Sequence, residues 1–509
     1  MRKQTNGARL GFAGMMVALV VSVTACSGLV TSGDGADEMR GESLTVGFVS
    51  AGGAPMTDPH GQLFSETDWA RLTSIYDTLT VRDADGAAAP ALAESWSSSD
   101  DATEWTFELR DDAQFSDGSP VTAADALYSI GRLQEKSAEN GGRVGTIDME
   151  RSAAPDEHTL RLVVPTPNAE LSLALTLGSF VVKADTTDFT KPIGSGPFTL
   201  DTLDDQIAVL AANNQWWGDG PGVERLTLRG FTDSQAMAQA VTSGSIDMAT
   251  GVQPAAAKAS EATGVQVSAR SGGETVPLLM RVDTPPFDDN KVRRAIKLAI
   301  DRPTLIEQIY LGYGTPGRDM IRLDDPEVPS DVAEVSRDVE KARRLLAEAG
   351  FPDGFTTTLH TSSAYPTMTP LATAVKQQLA EIGITVEVKE HSPDEYWTTA
   401  YGVEPFTVGF YGSTQSFGAL VRATVLSDAA YSETGWADSQ FDATWTQAMA
   451  TTDDSARAEL IGNLHRQMAT EGGWLVWGFG DRLTLYRDNV HGVNESGEIY
   501  DLSGITVES

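Results

Sequence analysis

One cysteine occurs in 509 residues, Cys26, and it follows Val23-Thr24-Ala25. Small residues ahead of it let the chain lie extended in a peptidase cleft, and the thiol just beyond can take a diacylglyceryl group. Arg2, Lys3 and Arg9 precede an uncharged stretch, Leu10 to Ala25, shorter than the ~20 helical residues that a bilayer core needs. A basic flank, a short apolar run and a small-residue cut are the parts of a secretory signal. Cys26 is therefore read as the lipid-attachment site of an exported protein. An ordinary signal followed by a cysteine, or an uncleaved anchor helix, are the alternatives. An odd cysteine in an exported chain calls for a use, and lipidation supplies one.

No other set of residues spells a reactive centre. There is no Gly-x-Ser-x-Gly elbow, no glycine-rich loop ending in Gly-Lys-Ser/Thr and no His-Glu-x-x-His. The six histidines, His60, His158, His360, His391, His465 and His491, are scattered without metal-ligand spacing, although distant ones can converge in a fold. The 72 Asp and Glu residues are too many for any pair to carry information. No metal, no cofactor and no enzymatic activity are expected. An exported hydrolase is the alternative from a different class, and a membrane-tethered sensor or chaperone is another. The formal charge is −35, and about −38 once the three cations of the signal are removed. Such a surface repels phosphate backbones, which excludes nucleic acid as a partner, and it favours hydration outside the cell.

These features need a body to serve. Ser27 to Glu42 is rich in Gly, Ser and Asp, with almost no apolar periodicity, and reads as a flexible tether over 26–41. The roughly 465 residues that follow exceed what one hydrophobic core usually supports, so two or more lobes are expected. Strand and helix patterns alternate throughout, which predicts an α/β architecture. Leu44 to Val49 and Glu104 to Arg110 alternate as strands, the second with Trp105, Phe107 and Leu109 on one face. Phe115-Ser116-Asp117-Gly118 reads as a tight turn. Thr122 and Asp125 have capping-box spacing for a helix carrying Leu127, Ile130 and Leu133. Asp289 opens a helix with Val292, Ala295, Ile296 and Ala299 on one stripe, and Pro303 forces a break near Asp301. Helices are also predicted over 338–349 and 370–382, each stopped by a glycine, with a strand over 384–388.

In this order the segments resemble the dipeptide/oligopeptide/nickel-type family of bacterial extracellular solute-binding proteins, family 5. The resemblance is carried by Pro90 to Trp96 and by Leu109-Arg110 through Phe115-Ser116-Asp117-Gly118 to Asp125. It continues in Gly194-Ser195-Gly196-Pro197-Phe198 with Trp216 and Trp217 after it, in Pro285-Pro286-Phe287-Asp288-Asp289, and in Val292-Arg293 with Ala299 to Arg302. Most of these are turn and cap residues, so they speak for a scaffold more than for any contact. The resemblance implies a two-lobed periplasmic-binding-protein-like fold with an extra subdomain in lobe I and a two-strand hinge. Lobe I would cover 42–277 and the C-terminal return 485–509, with the subdomain at about 59–186; lobe II would cover 278–484. It further implies a monomer that closes on a peptide or similar small polar solute and hands it to the permease subunits of an ABC importer. The lipid on Cys26 would keep it on the outer face of the cell membrane.

The same resemblance suggests where the solute is held. Members that bind peptides grip the α-ammonium with an aspartate in lobe II, and the corresponding segment is Phe410 to Phe417. There Tyr411, Gly412, Ser413 and Thr414 are candidate contacts, with Thr414 where the aspartate would stand. Without that aspartate, a solute held through hydroxyls and amides becomes an option. Arg281 takes a place commonly held by asparagine; it would fork onto a carboxylate or phosphate of the solute, or pair with Asp283. Gly52 and Gly53, beyond the first strand, would let backbone approach a solute closely, or form an ordinary loop. Trp397 and Tyr401 belong either to the lobe II wall or to its core.

Overall fold

The structure is a computed structural model that describes residues 41–509 apart from 51–53, 62–64, 137–143, 145, 177, 323–327, 330, 333–334, 413–415, 495, 498 and 509. Cys26 and the tether as far as 40 lie outside the described residues, and Gly41, expected to close the tether, already opens the strand Gly41–Val49.

Two sheets organise the described chain. The first has eight strands. Across it run Gln266–Glu274, Gly478–Tyr486, Met248–Val252, Gly41–Val49, Val223–Phe231, Ile207–Ala212 and Phe198–Leu203, with Gly314–Pro316 also paired to Gly478–Tyr486. Gly41–Val49 is parallel to both Val223–Phe231 and Met248–Val252. The second sheet has five strands, in the order Thr385–His391, Thr356–Ser362, Phe406–Val408, Leu278–Met280 and Trp474–Leu475. Its first two pairings are parallel. A three-stranded sheet, Ala93–Ser98, Glu104–Leu109 and Thr159–Val163, carries its own core with the helix Ala123–Lys136.

Local chemistry explains most of these elements. Trp105, Phe107 and Leu109 are buried on one face of their strand, as alternation predicts. The Thr122 backbone N–H donates to Asp125 at 2.9 Å and the Asp125 N–H to Thr122 Oγ1 at 3.4 Å, which closes the capping box. Gly118 sits at φ 82°, in the left-handed region that a residue with a Cβ avoids, and its N–H donates to Phe115 O at 2.8 Å. Asp289, Asp301 and Asp338 each accept a backbone N–H at the start of the helices Asn290–Ala299, Arg302–Ile309 and Val339–Glu348. One helix begins earlier than its sequence suggests, at Met368 instead of Pro370. Proline is tolerated there because N–H groups of a first turn have no partner within the helix.

The Gly194-Ser195-Gly196-Pro197 segment shows why it needs its glycines. A Cβ on Gly194 would lie 1.9 Å from the Ile75 carbonyl oxygen, and one on Gly196 2.7 Å from the Ile75 carbonyl carbon. The chain therefore packs directly on the end of the helix Glu66–Ile75. Trp216 and Trp217 donate their indole N–H groups to the half-buried Asp77 at 3.4 and 2.9 Å.

His60 is fully buried, and its Nε2 donates to Phe180 O at 2.8 Å. Burial pushes its pKa down to about 4. A base depressed in the folded state leaves the unfolded chain binding more protons below the normal value. Its contribution is therefore complete above pH 6.5 and is lost as pH falls toward 4. Burial of Asp77 acts in the opposite sense, raising it to about 7, so the residue must be isolated by comparison. Relative to a His60→Gln variant, the wild-type protein should lose about 2 kcal/mol of stability between pH 7.5 and pH 5. Urea unfolding followed by tryptophan fluorescence measures this; parallel pH profiles for the two proteins would show that His60 is not held neutral.

Candidate functional site

In open α/β sheets, ligands bind beyond the carboxyl ends of parallel strands, where backbone loops diverge and leave a crevice. In the first sheet that edge follows Val49, Phe231 and Val252. Ser50 there donates its N–H to Phe231 O at 2.8 Å. Gly52 and Gly53 come next and lie outside the described residues. In the second sheet the edge follows Ser362, His391 and Val408.

The loops leaving the second edge carry an aromatic wall. The rings of Tyr365, after Ser362, and Phe410, after Val408, stack with centroids 3.5 Å apart and planes 3° from parallel. Trp397 stands edge-on to Tyr365 at 6.3 Å and to Tyr401 at 4.8 Å. Trp397 is 37 % exposed and Tyr365 36 %, in a protein whose other large apolar side chains are mostly enclosed. Exposed stacked rings give a solute a large contact area at low entropic cost.

The residues singled out in the sequence fall in different places. Tyr411 is buried; its hydroxyl donates to Glu433, and Trp474 Nε1 donates to the Tyr411 oxygen at 3.1 Å. Its backbone pairs both ways with Thr275, at 3.0 and 2.9 Å, tying this loop to the strands between the sheets. Glu433 also accepts from the Tyr401 hydroxyl, and burial raises its pKa. Tyr401 is therefore held from behind the wall. Gly412 offers its carbonyl to Arg322 at 3.1 Å. Arg281 forks onto Asp283 through Nε at 3.0 Å and Nη2 at 2.6 Å, and its Nη1 donates to Gly402 O. Ser413 and Thr414 lie outside the described residues.

Two of the six histidines do converge. His360 Nδ1 and His391 Nε2 are 3.0 Å apart, on neighbouring strands. Their outer nitrogens face Glu404 at 3.7 Å and Glu395 at 3.2 Å. Burial lowers the His360 pKa. Among the described residues no group of three or more His, Cys, Asp or Glu side chains could hold a metal ion.

Sequence reasoning missed the contacts that join the two halves. The Ala169 N–H donates to Met449 O at 2.9 Å. Glu170 approaches Arg422 at 3.7 Å and lies against Gly418, where a Cβ would sit 1.9 Å from its carboxylate. Thr367 Oγ1 donates to Glu274 Oε1 at 3.4 Å. Each pair joins distant stretches, so no local pattern announces it. Tyr365 alone left a trace, an aromatic just past the carboxyl end of a strand.

Comparison with known proteins supplies the wider setting. Residues 87–455 match the family described as bacterial extracellular solute-binding proteins, family 5 Middle. The glutathione-binding protein GsiB of Escherichia coli K12 is 28% identical over 331 residues. That match covers 62% of this chain and 63% of GsiB, just under two thirds of its length. The ABC transporter substrate-binding protein CtaP of Listeria monocytogenes superposes with a TM-score of 0.79 at 21% identity, over 92% of this chain and 100% of its own. DppA of Helicobacter pylori, solved in complex with the peptide STSA, gives 0.74 at 22% identity over 92% and 99%. NikA of Brucella suis, solved with Fe(III)-EDTA, gives 0.80 at 21% identity over 91% and 100%. These superpositions establish the two-lobed fold.

The Glu170–Gly418 contact gives a test that needs no ligand. A Gly418→Val side chain would occupy the space of the Glu170 carboxylate and hold the halves apart. Small-angle scattering should then report a larger radius of gyration than for wild type in the same buffer, with circular dichroism unchanged. Equal radii would show that this contact does not limit closure.

Proposed function

The chain belongs to the bacterial extracellular solute-binding proteins of family 5, and from that premise we propose that it captures a small polar solute between its two lobes for an ABC importer. The family and fold are those of binding proteins. The observation that carries the reading is the aromatic wall of exposed Tyr365 and Trp397 with half-buried Phe410, set past the carboxyl ends of parallel strands. A peptide is the first candidate solute, in keeping with the peptide bound by DppA and the glutathione named for GsiB. Chelated metal is a second, given the Fe(III)-EDTA held by NikA.

Lobe I takes 42–277 and the C-terminal return from 478, and lobe II takes 278–477; a return at 485 falls too late, because Gly478–Tyr486 already pairs within the first sheet. Support comes from the sheet change between Glu274 and Leu278 and again between Leu475 and Gly478. Closure about such crossings removes a solute from water with few residues moving. The closed form is the one a permease would recognise, so affinity and delivery share one equilibrium. The protein works as a monomer, binds without turnover, and is tethered outside the membrane through lipid on Cys26. No described helix is long and apolar enough to cross a membrane.

Native mass spectrometry of the purified protein should show a retained solute of a few hundred daltons. The double variant Tyr365→Ala/Trp397→Ala should retain at least tenfold less of it. Equal retention would remove the aromatic wall from the site, and turnover of the solute by the purified protein would overturn the binding role. A separate measurement addresses the anchor. Cells given radiolabelled palmitate should label the wild-type protein and leave Cys26→Ser unlabelled; a labelled variant would sink the lipid assignment.

A further inference from the structure

Several enclosed or half-buried carboxylates of this protein are matched by strong donors. Asp319 receives Arg302 Nη2 on both oxygens, at 3.0 and 2.9 Å. Asp77 takes two indoles, and Glu433 takes two tyrosine hydroxyls and an indole. Glu66 pairs with Arg482 at 2.6 Å. An enclosed charge left without such partners is costly.

Glu274 is not matched in this way. It ends the strand Gln266–Glu274, where the chain leaves the first sheet for the second. Its one hydrogen bond among the described residues is the 3.4 Å contact from Thr367 Oγ1. Among the described residues no Lys, Arg or His lies within ion-pair distance, and the nearby charge that acts on it is the carboxylate of Glu66, of like sign. Burial and that repulsion raise Glu274 to about 7, against the small lowering from Thr367. A second group waits at the same place. The Tyr310 side chain is 1 % exposed, its hydroxyl has no hydrogen-bond partner among the described residues, and it feels the charges of both Glu274 and Asp481. The Tyr310 ring packs where a Cβ on Gly480 would stand, and Gly480 is the ladder partner of Glu274.

The position suits a ligand group. The residue keeps an open edge, being neither fully buried nor fully exposed. Thr367 is two residues from Tyr365, so a solute touching Glu274 can run along the aromatic wall. Ring faces attract cations, and a chain of formal charge −35 concentrates them.

We propose that Glu274 anchors a positively charged group of the captured solute, a primary ammonium or a guanidinium, with the rest of the solute packed on Tyr365, Phe410 and Trp397. This assignment rests on the capture role set out above, and names the solute class: an organic cation or a peptide with a free amino terminus. The anchor comes from the strands between the lobes.

Titration calorimetry with trialanine, agmatine and putrescine tests it, with N-acetyl-trialanine as the probe lacking the terminal charge. At least one cationic probe should bind wild type tenfold or more tighter than Glu274→Gln, while the acetylated probe should not distinguish the two. Glu274→Ala serves as a second variant, and circular dichroism checks that both fold. If every probe that binds wild type binds E274Q within twofold, Glu274 is not the anchor and the capture role stands. If no cationic probe binds, the anchor is overturned as well, and the retained solute seen by native mass spectrometry decides the capture role independently.

Discussion

Two segments of backbone carry the whole arrangement, because each serves both sheets within a few residues. Gln266–Glu274 lies in the first sheet and Leu278–Met280 in the second, while Trp474–Leu475 lies in the second and Gly478–Tyr486 in the first. Between them Thr275 Oγ1 donates to Gly478 O at 2.7 Å and Trp477 Nε1 to Val276 O at 2.8 Å. The crossing is also sterically tight. A Cβ on Gly478 would meet Ile306 Cδ1 at 2.6 Å, and one on Gly480 would meet the Tyr310 ring at 2.6 Å. Tyr310 stacks on Trp477 at 5.2 Å. The carboxyl edges of both sheets take their relative placement from this crossing.

That placement sets the polar economy of the site. Buried donors and acceptors around Tyr411, Tyr401, Glu433 and Trp474 satisfy one another and hold the wall from behind. Tyr365 and Trp397 remain partly exposed in front of it. Glu274, at the crossing, has the Thr367 hydroxyl as its one hydrogen-bond donor among the described residues. Arg281 shows the contrary case, an arginine whose fork is spent on Asp283 beside it.

Much of this was legible in the residues themselves. Caps and turns depend on neighbours three or four positions away, so Thr122 with Asp125, the turn at Gly118, and the aspartates at 289, 301 and 338 announce themselves in any reading of the chain. Alternation likewise exposes the buried face of Glu104–Leu109. The family pattern consists of such local features, which is why it identifies the scaffold more readily than the ligand. Helix starts are less certain, as Met368 shows, because a first-turn proline is compatible with either boundary.

The sequence by itself determined the α/β class, the caps and strand faces, the unbalanced charge and the single cysteine, since each follows from composition or short-range spacing. Only the tertiary structure decided that Tyr365 stacks on Phe410, that Glu170 enters the space Gly418 leaves open, that Arg281 pairs with Asp283, and that Glu274 meets Thr367 at the crossing. Apart from the near-neighbour pair of Arg281 and Asp283, these partners stand tens to hundreds of residues apart. Their meeting is set by how strands pair and cores pack, and neither leaves a fixed interval in the chain. A resident Cys26 can be read from its flanks; a partner for Glu274 can be read only from what surrounds it in space.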